Sequence, residues 1–111
     1  MKIFKLSDMH KGWFVGDFKP TAFATKDFEV NYRTHPAGSN WEVHYHSKTT
    51  EINLIVKGKM KFNGTILEKE DIFIVEPWQI SDPEFIEDTT VICVRTPSLN
   101  DKKVIKLTND N

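Results

Sequence analysis

An all-β barrel or sandwich is the fold the sequence predicts. Short runs rich in β-branched and aromatic residues recur along the chain, and Gly, Pro, Asn and Asp punctuate them. No segment of ten or more residues repeats its apolar positions with a helical period. Many short strands joined by turns either close into a barrel or stack as two sheets.

Trp13-Phe14-Val15 reads as a short flanking strand. Phe28 to Thr34 alternates, with Phe28, Val30 and Tyr32 on one face and Glu29, Asn31 and Arg33 on the other. His35 to Asn40, with Pro36 and Gly38, is a turn. Trp41 to His46 forms the next strand, and Glu51 to Val56 another that ends at Lys57-Gly58. Lys59 to Phe62 runs into Asn63-Gly64, a strong hairpin signal because both residues accept the positive φ of a type I′ turn. Thr65 to Leu67 returns from it. Glu68 to Asp71 is a polar turn before Ile72-Phe73-Ile74-Val75, an apolar run that reads as a buried strand and stops at Pro77. Thr89 to Arg95 is the last main strand, ended by Pro97. The tail supplies a further flanking strand, and Thr108 to Asn111 reads as frayed.

The 111 residues make one domain, with a core over about residues 28–96. A chain of this size buries roughly two-thirds of the surface its unfolded form exposes, enough for one core. A hydrophobic content of 39%, with eight Phe and three Trp, argues against disorder. Fifteen Lys and Arg nearly balance sixteen Asp and Glu without a basic block, so nucleic acid and anionic membranes are not expected partners. Cys93, the single cysteine, makes neither an intramolecular disulfide nor a thiolate zinc site, which suits a reducing compartment. The N-terminus carries no signal-like apolar run and no segment approaches the ~20 apolar residues of a membrane span, so the expected location is the cytoplasm.

His44 and His46 are separated by one residue. On a strand, residues two apart point to the same side, so both imidazoles can share one ion. Glu51 follows a polar loop, opens the next strand and can bring a carboxylate beside them. Two His and one carboxylate form the facial triad of non-heme iron sites, and Mn, Ni and Zn also accept these donors. The expected cofactor is one divalent metal ion of unspecified identity, with affinity falling as pH drops through about 6.5, because only the neutral imidazole binds.

Gly38, five residues, His44, one residue, His46, four residues, Glu51, six residues and Gly58 match every fixed position of the first motif of the cupin superfamily. The chain therefore resembles a small single-domain cupin, directly over about half its length. The resemblance implies a double-stranded β-helix, or jelly roll, with metal at the mouth of the barrel on His44, His46 and Glu51, and commonly a homodimer. The second motif is degraded: Glu70, Glu76, Trp78, Ser81 and Phe85 occupy its Gly, Pro, Gly, His and Asn positions. The family's fourth ligand is thus replaced by Ser81, unless a one-residue shift brings in Asp82.

Other residues enter by position. Asn53 and Ile55 share a face with Glu51, and Asn53 is a candidate ligand contact. Arg95 could fork onto a carboxylate or phosphate, and Trp78 could close the mouth. Asp82 or Glu76 could act as general base. Cys93 reads as a small core residue, and His10 and His35 as exposed ones. Tyr45 should point away from the metal. Ile52, Leu54 and Val56 form an apolar outer face that another sheet or a second subunit would cover. The leading functional expectation is a metal-dependent enzyme acting on a compact polar metabolite, of isomerase, epimerase or oxygenase type. The alternatives are a non-catalytic small-molecule-binding module and a structural subunit with a vestigial pocket.

Overall fold

A computed structural model describes residues 1–39 and 41–105, so Asn40 and the expected frayed end lie outside the described residues. Six strands form the larger sheet: β1 (Trp13–Gly16), β2 (Phe23–Ala24), β3 (Glu29–His35), β5 (Thr50–Lys57), β8 (Ile72–Val75) and β10 (Thr89–Thr96), in the order β2-β1-β3-β10-β5-β8. Facing it are the three-stranded sheet of β6 (Lys59–Phe62), β7 (Thr65–Glu68) and β9 (Pro83–Phe85), and a ribbon of β4 (His44–His46) with β11 (Lys102–Val104). A three-residue 3-10 turn, Leu6–Asp8, is the only helical element among the described residues. No helix there is long and apolar enough to cross a membrane.

Local chemistry explains most boundaries. Asn63 and Gly64 both take positive φ, as the type I′ turn between β6 and β7 requires. Gly58 has φ +98°, and a Cβ there would lie 2.3 Å from the carbonyl oxygen of Asp88, so only glycine lets β5 pass directly into β6. Two strands carry no readable sequence signal. β2 is too short to alternate, and β9 starts on Pro83, which a strand tolerates only at its first residue or an edge.

Strand β10 pairs on both sides, Arg95 lying between Glu29 and Glu51, and Cys93 between Asn31 and Asn53. Inward positions of β5 and β10 therefore stack in three pleats: Glu51 with Arg95, Asn53 with Cys93, and Ile55 with Val91. At the last of these, Ile55, Val91, Met60 and Phe85 form the buried apolar core, with Trp41, Phe62, Leu67 and Phe73 packed around it. Burying an aliphatic side chain of this kind stabilises by roughly 1.5–3 kcal/mol.

The inward face of β3 is its polar one. Glu29 and Asn31 are buried, whereas Phe28 and Tyr32 are exposed. The run Ile72 to Val75 corrects a second expectation: Val75 is buried, but Ile72 and Ile74 are 66% and 54% exposed on the outer face of an edge strand. Ile52, paired with Ile74, shares that face and is also exposed.

Candidate metal centre

The pairing of β4 with β11 holds the two histidines in place, with His46 opposite Lys102 and His44 opposite Val104. On its other side His44 bridges to Ser81: the His44 amide donates to the Ser81 carbonyl (3.1 Å), and the Ser81 amide returns a bond of 2.7 Å. Glu51 comes from β5, across the barrel interior. One donor atom each from His44, His46 and Glu51 lies within 4.8 Å of the others.

Hydrogen bonds set which nitrogen of each ring is free. His44 Nδ1 lies 2.8 Å from the carbonyl oxygen of Glu42, which can only accept, so Nδ1 carries the proton. His46 Nδ1 lies 2.8 Å from Asp101 Oδ1. Burial pushes the Asp101 carboxyl upward, but bonds from His46, the Lys48 amide and Thr49 outweigh it and bring its pKa down to about 2. Asp101 is therefore a carboxylate that accepts from His46 Nδ1. In their neutral forms both rings keep a lone pair on Nε2, the arrangement that carboxylate–histidine–metal sites use. Burial, the largest influence, lowers the pKa of His44, with Lys102 and His46 adding to the effect, so this ring stays neutral below the usual imidazole range.

Glu51 is held from two sides. Cys93 Sγ–H donates to Oε1 at 3.4 Å, while Oε2 lies 3.5 Å from His46 Nε2 and 3.6 Å from Arg95 Nε. Burial first, and Glu51 second, raise the Cys93 thiol well above its ordinary range, so Cys93 is a neutral donor and not a nucleophile. His46 Nε2 and Glu51 Oε2 are both buried without a hydrogen-bond partner. Unpartnered buried acceptors aimed at one point are what an ion would satisfy, so these residues fit a divalent metal.

A cavity of about 100 Å³ opens beside them. Asn53, Arg95, Ser81, Cys93 and His35 line it together with His44 and Glu51. Ser81 is 3% exposed and its hydroxyl has no partner, so it occupies the ring of the site at the position the degraded motif assigns to the missing histidine. Glu70 and Trp78, which replace the glycines of that motif, both retain positive φ.

Three expected site residues lie elsewhere. Asp82 follows inward-facing Ser81 in an extended segment and so turns outward. It is exposed, with its amide and carbonyl held by Asn63. Glu76 is exposed at the start of the turn after β8. Neither lines the cavity, which corrects their assignment as its general base. Trp78 is 67% exposed and stacks on Tyr45 (centroids 5.5 Å apart). It therefore packs on the outer side of β4, where Tyr45 points as expected, and does not close the cavity. His35 departs from its expected exposure in the other direction. It lies flat against Phe85 (centroids 4.4 Å, planes 7° apart) and meets Trp41 edge-on. Burial, then Arg33, lower its pKa to about 4. Asp101 had no sequence signal at all: it stands 55 residues from His46 in a tail without a motif.

No family model and no curated protein sequence matches the chain. Solved structures do. One is an uncharacterized conserved protein with a double-stranded β-helix domain from Klebsiella pneumoniae, 18% identical over 96% of this chain and 93% of that one, with a TM-score of 0.69. A cupin protein from Bacteroides fragilis is 21% identical over 75% of this chain and 81% of its own, with a TM-score of 0.55. The fold is a small cupin barrel. A third match is the bacterial pirin YhhW from Escherichia coli in complex with nickel(II), at 13% identity and a TM-score of 0.66. The match covers 78% of this chain and 39% of that longer one.

Proposed function

We propose that this cupin holds one divalent metal ion, Fe, Mn, Ni or Zn, on His44, His46 and Glu51, and acts as an enzyme on a compact polar metabolite. The carrying observation is the pair of imidazoles whose Nδ1 atoms are both occupied, leaving Nε2 of each and Glu51 Oε2 as the free donors of one cluster. The nickel(II) complex of the pirin supports a metal-binding reading on this fold. When bound, such an ion supplies Lewis acidity toward a carbonyl or carboxylate oxygen. The protein's own contribution is positional. Asp101 orients His46, Cys93 fixes Glu51, and the apolar end closes the interior behind the site.

Elemental analysis of untagged protein is expected to give one metal per chain, and His46→Ala to abolish it. Protein that takes up no Fe, Mn, Ni or Zn would refute the reading. The outward Asp82 and Glu76 and the Ser81 substitution favour a second reading, in which the loaded cavity binds a small molecule without turning it over. Metal binding and ligand binding with no product formed across candidate substrates would select it. The exposed Ile52, Ile72 and Ile74 form the face on which a second copy would pack as a homodimer. Light scattering at the monomer mass would remove that part.

A further inference from the structure

We propose that Arg95 and Asn53 form a subsite for the carboxylate of a small organic acid, beside the His44–His46–Glu51 centre. The inference rests on the metal reading and names its substrate class. Asn53 is 4% exposed, and its Nδ2 has no hydrogen-bond partner; Arg95 Nε is buried in the same state. Both residues line the cavity. Arg95 pairs with Glu51, and Asn53 is the next inward residue on β5, so the two donors lie on diagonal positions of adjacent strands, within reach of one ligand.

Leaving a buried donor unsatisfied destabilises the fold, and a leucine in place of Asn53 would carry no such cost. Two unsatisfied donors on diagonal positions of one cavity wall suit an acceptor with two oxygens. A planar carboxylate offers two acceptor atoms to such a pair.

The charge agrees. Among the described residues Arg33 and Arg95 line the cavity against one carboxylate, Glu51, and a divalent ion would add two positive charges. Behind the lining, Glu29 lies 3.5 Å from an outer nitrogen of Arg95 and accepts from Ser98 Oγ at 2.8 Å, so one side of the guanidinium is already balanced; Nε faces Glu51 Oε2 at 3.6 Å, an ion pair beyond hydrogen-bond distance, which leaves its N–H without an acceptor. Trp13 covers the face of the guanidinium, with Cζ 4.7 Å from the ring centroid, and fixes its plane. The volume limits the ligand. An engineered cavity of ~150 Å³ takes a benzene, so about 100 Å³ suits an acid of two or three carbons whose far end meets the open mouth.

The test is calorimetric titration of glycolate, and of its neutral counterpart glycolamide, into Mn(II)-loaded and chelator-stripped protein. Mn(II) stoichiometry is measured separately for every variant. Loaded wild type is expected to bind glycolate at least tenfold more tightly than glycolamide. Asn53→Leu should keep its Mn(II), melt at a higher temperature than wild type, and lose roughly tenfold in glycolate affinity. Arg95→Gln should lose roughly ten- to a hundredfold, with only partial recovery in Arg95→Lys, which lacks the fork. Should Arg95→Gln fail to fold because Glu29 loses its partner, Asn53→Leu alone decides. Equal glycolate affinity in wild type and Asn53→Leu, or glycolamide binding as well as glycolate, would overturn the subsite and leave a cavity filled by water. If wild type takes up no metal, the metal reading falls by itself. The subsite then stands if stripped wild type binds glycolate with the same loss in Asn53→Leu, and falls if it does not.

Discussion

The two ends of the barrel interior are built on opposite principles. Ile55 and Glu51 sit four residues apart on the inward face of β5, roughly 13 Å along the strand. Around Ile55 the interior is apolar and filled by Val91, Met60 and Phe85. Around Glu51 it is crowded with His44, His46, Asn53, Ser81, Arg95 and Glu29, and five of the side-chain atoms buried there have no partner. Unpaired buried polar atoms weaken a fold. The apolar end holds the barrel closed, and the polar end leaves five buried side-chain atoms without a hydrogen-bond partner. One end supplies the stability that the other gives up.

Substitutions at each end should therefore fail differently. The largest expected effect is at the apolar end. Ile55→Ala should destabilise by about 2–5 kcal/mol in denaturant titration, while the fraction still folded binds metal as wild type does. A comparable loss of metal affinity in that folded fraction would break the separation. Next comes the polar end. Asp101→Asn removes the carboxylate that accepts from His46 Nδ1 and from the amides of Lys48 and Thr49. Metal affinity should fall about 10–100-fold by competitive chelator titration, and unchanged affinity would show that Asp101 only ties down the tail.

A smaller effect comes from pH. His35 has a pKa of about 4 when folded, below its unfolded value. Between pH 6.5 and 4 the unfolded chain binds a proton there that the folded chain does not, so stability is full above 6.5 and falls as pH drops toward 4. The expected loss is on the order of 1–2 kcal/mol, read from denaturation midpoints at pH 7.5 and 4.5. His35→Phe, which keeps the stack on Phe85, should remove most of it; an unchanged pH profile would place the effect elsewhere. The smallest effects belong to Asp82→Asn and Glu76→Gln. Both residues are exposed outside the cavity, and metal affinity is expected to stay within about twofold of wild type, since isolated surface substitutions change little. A tenfold loss in either would bring that residue back into the site.

Much of this architecture is local in origin and therefore legible. Asn63-Gly64 specifies its turn through the φ values the two residues accept, and the strands on either side follow. The His-x-His spacing places two rings on one face because the strand period is two. The faces of β3 could be separated in sequence, but not assigned. Phe28 and Tyr32 form its apolar side and still turn outward, because inward Glu29 finds Arg95 and Ser98, and Asn31 finds the Lys11 carbonyl. Those partners lie far along the chain. The same holds for Asp82, which the sequence leaves next to Ser81 and the strand geometry turns to the opposite side.

By itself, then, the sequence determined most of the strands, the hairpin, the cupin spacing and the three donors on two consecutive strands, because alternation and turn chemistry act within a few residues. Only the tertiary structure decided which side of each strand faces inward, that Asp101 in the tail reaches back to His46, and that Arg95 Nε and Asn53 Nδ2 lie buried near the donors without a hydrogen-bond partner. Those outcomes depend on strand pairings between distant segments, and such pairings come into being only when the barrel closes.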